Sequence, residues 1–274
     1  MSEVESTFAI DKIRLGHRLN LGADTCYWFE VEHPGEGPNT MVNIFDLYLN
    51  QYQWTKFIRP GSTVVDIGGH SGDTTVPMQY LARGTVLVAE PNPVIRPALE
   101  VTCAVNAHLG RFAVAHEAVT TVDTESVTIL DHNNALCNGG LIDESWTPEL
   151  QARMRSMGTQ KFSVPGLTLE NLCKKYLSDE EIAKIGFIKS DTEGHDISIL
   201  EASRDFIDRL KPVLFVEWFF AFTEVESQHM FDVIASMGYL PFYPETLEPA
   251  TIDQRSTDLL LIHKTRVGEY LDNV

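Results

Sequence analysis

Two short segments of the chain hold residues whose types and spacing suit ligand binding. Val64-Val65-Asp66-Ile67-Gly68-Gly69-His70-Ser71-Gly72-Asp73-Thr74-Thr75 is an apolar run that enters a glycine turn and then a helical pattern. Glycines at such a turn let the backbone approach a ligand closely, and the helix that follows offers free N–H groups at its positive end. The dinucleotide fingerprint Gly-x-Gly-x-x-Gly is not met, because His70 and Asp73 stand where its second and third glycines belong. Glu90 closes the next apolar run, Val86-Leu87-Val88-Ala89, and Pro91-Asn92-Pro93 follows it. A carboxylate at the end of a second strand can accept both hydroxyls of a ribose. Glycine turn and acid together predict a nucleoside-containing cofactor. They do not choose between a nicotinamide nucleotide and S-adenosylmethionine.

A second group of reactive residues lies further along. Asp191, Glu193 and His195 stand just past the apolar run Phe187–Ser190, and Glu217 ends Val213-Leu214-Phe215-Val216. In an open parallel sheet reactive groups gather beyond the carboxyl ends of the strands. A carboxylate or imidazole there can take the proton of a hydroxyl. Asp191 leads these four catalytic candidates because it ends a buried strand. Glu193 with Gly194 also suits a turn, and His195 also suits the surface of a helix. Asp191 and Glu217 could hold a divalent cation, but two acids without a third ligand do not support one.

Strands alternating with amphipathic helices must position these groups. Thr63–Ile67, Thr85–Ala89, Phe112–Val119, Val127–Leu130, Phe187–Ser190 and Val213–Trp218 read as strands. Helices are expected over Asp73–Arg83, Ile95–His108, Leu167–Leu177, Asp196–Leu210 and Glu226–Met237, from apolar residues at three- and four-residue spacing. This order implies a parallel sheet covered by helices on both faces. Tyr239–Tyr243 and Leu259–His263 follow one another with no helix between them, so an antiparallel pair ends the sheet. Residues 1–60 read as a lead-in packed on the core, with a strand at Cys26–Glu32 and a helix from Met41 to Phe57. Residues 61–274 form the main domain. Within it, residues 131–165 break the rhythm and read as a lid insertion, with a short helix over Thr147–Met157.

Three segments resemble the signatures of the FkbM-type S-adenosylmethionine-dependent methyltransferases. They are Asp66–Thr75, Glu90-Pro91-Asn92-Pro93 and Ile188-Lys189-Ser190-Asp191-Thr192-Glu193-Gly194-His195-Asp196. The resemblance runs from about Ile44 to His263. It implies a Rossmann-like class I methyltransferase fold, an α/β architecture with a mostly parallel seven-strand sheet. It also implies that Asp66, Gly68 and Gly72 meet the methionine portion of the cofactor, within a loop that includes Gly69, His70, Ser71 and Thr74. Glu90 then binds the ribose with Asn92 beside it, and the turn near Glu117, Ala118 and Val119 lines the adenine. Gly69-His70-Ser71 departs from the small-residue and Asn pattern of the family, so His70 alters how the methionine end is held. The implied activity is methyl transfer, foremost to a hydroxyl of a small molecule such as a sugar or natural product. A silent cofactor-binding module and a nucleotide-cofactor oxidoreductase are the alternatives.

Composition narrows the partners. Against 21 Lys and Arg stand 39 Asp and Glu, a net charge of −18, which repels nucleic acid and anionic membrane. Cys26, Cys103, Cys137 and Cys173 form no CxxC pair and read as reduced thiols of a cytoplasmic protein. Met-Ser-Glu-Val-Glu lacks the layout of a secretory leader, and no apolar run reaches the ~18 residues of a membrane span. The oligomeric state is not written in the sequence, and a homodimer is compatible with it.

Overall fold

The computed structural model describes residues 13–31, 41–132, 137–141, 148, 151–152 and 160–271. The chain opens with an antiparallel hairpin, β1 (Ile13–Leu21) and β2 (Asp24–Val31), turned at Gly22. Only the second of these strands was expected. β1 carries Arg14, His17 and Arg18 among its apolar residues and is nowhere fully buried, so it lacks the signal of a core strand.

The single helix expected over 41–57 is instead three pieces. An α-helix over Met41–Asp46 runs into a π-helical turn at Leu47–Gln51, and a 3₁₀ turn follows at Trp54–Lys56. Gln53 sits at φ 54° between the last two, and Tyr48 stacks on Trp54 with ring centroids 4.2 Å apart. Aromatic packing here overrides the regular helical spacing.

β3 (Thr63–Ile67) and β4 (Thr85–Ala89) follow, each buried along its whole length. β5 (Arg111–Ala115) continues the sheet, and β6 (Ala118–Val119), read from sequence as the end of the same strand, leaves it. β7 (Thr124–His132), β8 (Cys137–Leu141) and β9 (Gln160–Leu167) join β6 in a second sheet, ordered β6-β9-β7-β8. The segment 131–165 therefore begins and ends in paired strands. Its expected helix lies outside the described residues except at Pro148, Gln151 and Ala152, which are helical.

β10 (Ile185–Ser190), β11 (Val213–Glu217), β12 (Tyr239–Phe242) and β13 (Asp258–His263) complete the main sheet. Its order is β12-β13-β11-β10-β3-β4-β5, with β13 antiparallel to both of its neighbours. Seven strands, mostly parallel with an antiparallel finish, make the sheet that the resemblance implies. Residues along each strand alternate between two cores. Val65, Leu87, Ile188 and Leu214 pack with Leu172 and Ile199 on one face, while Val64, Val86, Phe187 and Phe215 pack with Trp54 and Met78 on the other. The helix expected over 196–210 is two, Asp196–Ala202 and Arg204–Leu210, separated by buried Ser203.

Candidate functional site

Strand order reverses direction between β3 and β10, and a parallel sheet opens a crevice at such a point. A cavity of about 250 Å³ lies there. Gly68, His70, Thr74, Glu90, Asn92, Ala118, Val119 and Asp191, all foreseen as site residues, line it.

Asp66 lies behind the cavity wall and is fully buried. Its Oδ2 accepts hydrogen bonds from the Thr74 hydroxyl (3.0 Å) and the Thr75 hydroxyl (2.6 Å), which fixes the start of the helix Thr75–Ala82. Register places Lys189 of β10 beside Asp66 of β3. The ammonium donates to the Gly68 carbonyl at 2.8 Å and stands 3.5 Å from Asp66 and 3.4 Å from Asp191. Burial pulls Lys189 down, but the charges of Asp191, Asp66 and Asp73 outweigh it and hold the group above its ordinary pKa.

Gly68 is required twice over. Its φ is +76°, and a Cβ would come within 1.9 Å of the Asp191 carbonyl oxygen. Gly69 and Gly72 serve packing away from the cavity: a Cβ would meet the Val88 side chain at 2.1 Å and the Thr102 side chain at 2.9 Å respectively. Ser71 likewise sits behind the loop, where its hydroxyl accepts from the Trp28 indole at 2.9 Å.

Glu90 is held by backbone alone. Its Oε2 accepts from the His70 N–H (2.9 Å) and its Oε1 from the Asn92 N–H (2.7 Å). Burial pushes its pKa up to about 7, against the pull of those two bonds. Each oxygen keeps a lone pair for a ligand hydroxyl. The Asn92 amide is engaged at both ends, accepting from Val94 N–H at 2.9 Å and donating to Asp131 at 2.8 Å. Asn92 thus fixes the loop that aims Glu90. Ala118 and Val119 join Ile95 and Ile129 as the apolar part of the wall.

The rim beyond β10 and β11 is different in kind. Carboxylate oxygens of Asp191, Glu193 and Glu217 lie within 4.8 Å of one another, a spacing that a divalent cation could bridge. Glu193 adds the third acid that sequence spacing did not supply. Only Asp191 of these three faces the cavity. Glu193 (φ 58°) and Gly194 (φ +99°) make the turn, and a Cβ on Gly194 would lie 2.6 Å from the Phe219 ring. His195 is buried, and the helix Asp196–Ala202 starts after it. Asp196 accepts from the Ser190 hydroxyl at 2.5 Å and the Thr192 N–H at 3.3 Å. Burial, then the charges of Asp191 and Glu193, push Glu217 up to about 11, and its Oε2 is buried without a hydrogen-bond partner among the described residues.

Lys189, Asp73, Trp28 and Tyr48 also line the cavity and escaped the sequence reading. A lysine inside an apolar strand was a usable signal for the first. Trp28 and Tyr48 come from the lead-in and carried none, since only folding brings them to the glycine loop.

The FkbM methyltransferase domain model matches residues 66–241. No relative among curated proteins matches the sequence. Among solved structures, methyltransferase FkbM from Methylobacillus flagellatus KT is 16% identical with a TM-score of 0.46, over 81% of this chain and 52% of that one. This chain therefore spans about half the length of that protein. A SAM-dependent O-methyltransferase from Thermotoga maritima is 8% identical with a TM-score of 0.41, over 90% of this chain and 77% of that one. The fibrillarin pre-rRNA processing protein of Methanococcus jannaschii is 10% identical with a TM-score of 0.41, over 92% and 94%.

Proposed function

The chain belongs to the FkbM methyltransferase family, and from that premise we propose that it methylates a hydroxyl oxygen of a small molecule, a sugar or natural product, using S-adenosylmethionine. The observation that carries the reading is Glu90. Backbone N–H groups fix both of its oxygens at the cavity wall, which suits the paired hydroxyls of a ribose. The apolar wall of Ala118, Val119, Ile95 and Ile129 suits an adenine. The Nε2 of His70, buried and without a partner among the described residues, fits a bound cofactor as well, since an orphaned polar atom of that kind is stabilised by a ligand.

When bound, the cofactor supplies an electrophilic methyl group on a sulfonium. Asp191, the rim acid that faces the cavity, takes the proton of the acceptor hydroxyl. Glu217 keeps its proton at neutral pH, because burial and its acidic neighbours raise it, and it stands at the rim beside Asp191, outside the cavity wall. Glu193 and His195 support the rim. A divalent cation across Asp191, Glu193 and Glu217 is compatible with their spacing, and no step needs one.

A net charge of −18 favours a small acceptor over a nucleic acid. The insertion 131–165 starts beside the site, where Asp131 accepts from Asn92, and its lid reading otherwise falls largely outside the described residues. Among the described residues no helix is long and apolar enough to cross a membrane. Cys26, Cys103 and Cys173 are buried free thiols, raised to about 11–12 by burial, which suits a reducing cytoplasm.

Labelled methyl transfer into a cell extract tests the reading. Label is expected in a small-molecule fraction as a methyl ether. Label in RNA would overturn the acceptor class, and failure to bind S-adenosylmethionine by calorimetry would overturn the activity.

A further inference from the structure

Tyr48 and Tyr52 lie four residues apart in the lead-in, and they meet different surroundings. Tyr52 is buried away from the cavity, and its hydroxyl donates to Asp258 at 3.3 Å. Tyr48 lines the cavity, and no hydrogen bond engages its hydroxyl among the described residues. Packing fixes the Tyr48 ring. It stacks on Trp54 with 25° between the planes and meets Tyr52 and Phe215 edge to face at 5.7 and 6.4 Å. Rings locked in this way also fix the direction of the hydroxyl they carry.

The backbone departs from regularity at this point. Leu47–Gln51 is a π-helical turn, closed by the Tyr52 N–H on the Leu47 carbonyl at 2.7 Å. Such a turn takes one residue more than an α-helical one, is rare, and concentrates at functional sites. Charge around the hydroxyl narrows its role. Burial, and then the charges of Asp73, Asp258 and Asp191, hold the phenol well above its ordinary pKa, so it keeps its proton. Asp73 and Asp191 line the cavity with it, and Asp258 pairs in register with Glu217 of the rim. Tyr48 therefore stands where cavity and rim meet. Lys189, also in the wall, is occupied by the Gly68 carbonyl, Asp66 and Asp191, which leaves the phenol as a neutral, rigidly held donor at this end.

We propose that Tyr48 positions the acceptor, its hydroxyl donating to the acceptor oxygen while Asp191 receives that oxygen's proton. The inference rests on the hydroxyl-methylation reading and adds to it a residue that lies outside the segment 66–241 of the family match. An alcohol oxygen has two lone pairs and one hydrogen. With one pair engaged by Tyr48 and the hydrogen by Asp191, the second pair is left to meet the methyl carbon in line. The oxygen–carbon bond forms, the carbon–sulfur bond breaks with its electron pair left on sulfur, and the proton passes to Asp191. Tyr48 keeps its own proton throughout.

Tyr48→Phe keeps the ring and its stack on Trp54 and removes only the donor, which has no partner among the described residues whose loss could unfold the chain. The assay is transfer of labelled methyl from S-adenosylmethionine into the small-molecule fraction of a cell extract, over a dilution series of that fraction. The initial slope of rate against dilution reports kcat/KM. It should fall about 3- to 10-fold in Tyr48→Phe, the range for one neutral hydrogen bond. The affinity for S-adenosylhomocysteine by calorimetry should stay within 2-fold, and the urea midpoint should not fall. Tyr52→Phe is the control: it should lower the urea midpoint and leave the slope within 2-fold. An unchanged slope in Tyr48→Phe would overturn the proposal, as would an equal fall in both variants. A loss of S-adenosylhomocysteine affinity as large as the loss of slope would also overturn it, by placing the hydroxyl on the cofactor. Absence of label with the unaltered protein would instead refute the small-molecule reading, and this inference with it.

Discussion

The glycine-loop end of the cavity and the acid rim are both rich in carboxylates, yet they are built in opposite ways. At the loop end Asp66 and Glu90 each accept two hydrogen bonds, and Lys189 stands against Asp66. At the rim Asp191, Glu193 and Glu217 crowd together, and Glu217 is raised to about 11 by burial and its neighbours' charge. Donors built into the chain preorganise the first region. Repulsion holds the second in readiness for a donor from outside.

Gly68 is where the two regions touch, and changing it breaks the comparison most severely. In Gly68→Ala the new Cβ lies 1.9 Å from the Asp191 carbonyl, a backbone atom, at a φ of +76°. Strain and displacement of β10 together should cost about 3 kcal/mol or more, read as a fall in the urea midpoint. A midpoint equal to that of the unaltered protein would show that loop and rim are independent.

Glu90→Ala separates them. Loss of two charge-assisted bonds to ribose, each worth about 1.5–3 kcal/mol, should weaken S-adenosylhomocysteine by roughly 100-fold or more. Affinity within 3-fold of the original would remove Glu90 from the ribose.

Glu217→Gln probes the repulsion. With its pKa raised from 4.5 to about 11, the folded protein holds a proton that the unfolded chain releases. The resulting penalty is absent below pH 4.5 and grows as pH rises toward 11. Glutamine removes it, so the variant should be more stable at pH 8 by on the order of 1–3 kcal/mol and little changed at pH 4. Denaturant titrations at the two pH values decide this, and a pH-independent difference would refute the repulsive account.

Trp28→Phe is the gentlest change. It removes one neutral hydrogen bond to Ser71 and should lower stability by about 1 kcal/mol in the same assay. A stability loss beyond 3 kcal/mol would mean that the indole does more than tie the hairpin to the loop.

What was legible in the sequence follows from where burial is complete. Thr63–Ile67 and Thr85–Ala89 were read to the residue because both faces are covered, which makes a strand an unbroken apolar run between turns. The antiparallel finish was readable from the missing crossover helix. At the site, sequence order carried the glycine turn and Glu90 because a βαβ unit is local. Lys189 against Asp66 is a pairing across strands 123 positions apart, visible only once β10 lies beside β3. β1, the second sheet and the wall formed by Trp28 and Tyr48 lack local signatures for a similar reason. They are half-buried, or their burial comes from distant partners.

The place of β13 bears on how this protein can be divided for engineering. The family match ends at residue 241, inside β12, and it begins inside β3. β13, which lies wholly beyond that limit, is wedged between β11 and β12. A fragment trimmed to the match would keep β11 with one flank bare and most of β12 with no neighbour at all. Unpaired strand edges invite association between chains. A recombinant fragment or a chimera therefore needs its C-terminal cut after His263, and its N-terminal cut before Ile13 if the cavity is to keep its indole wall on a paired strand.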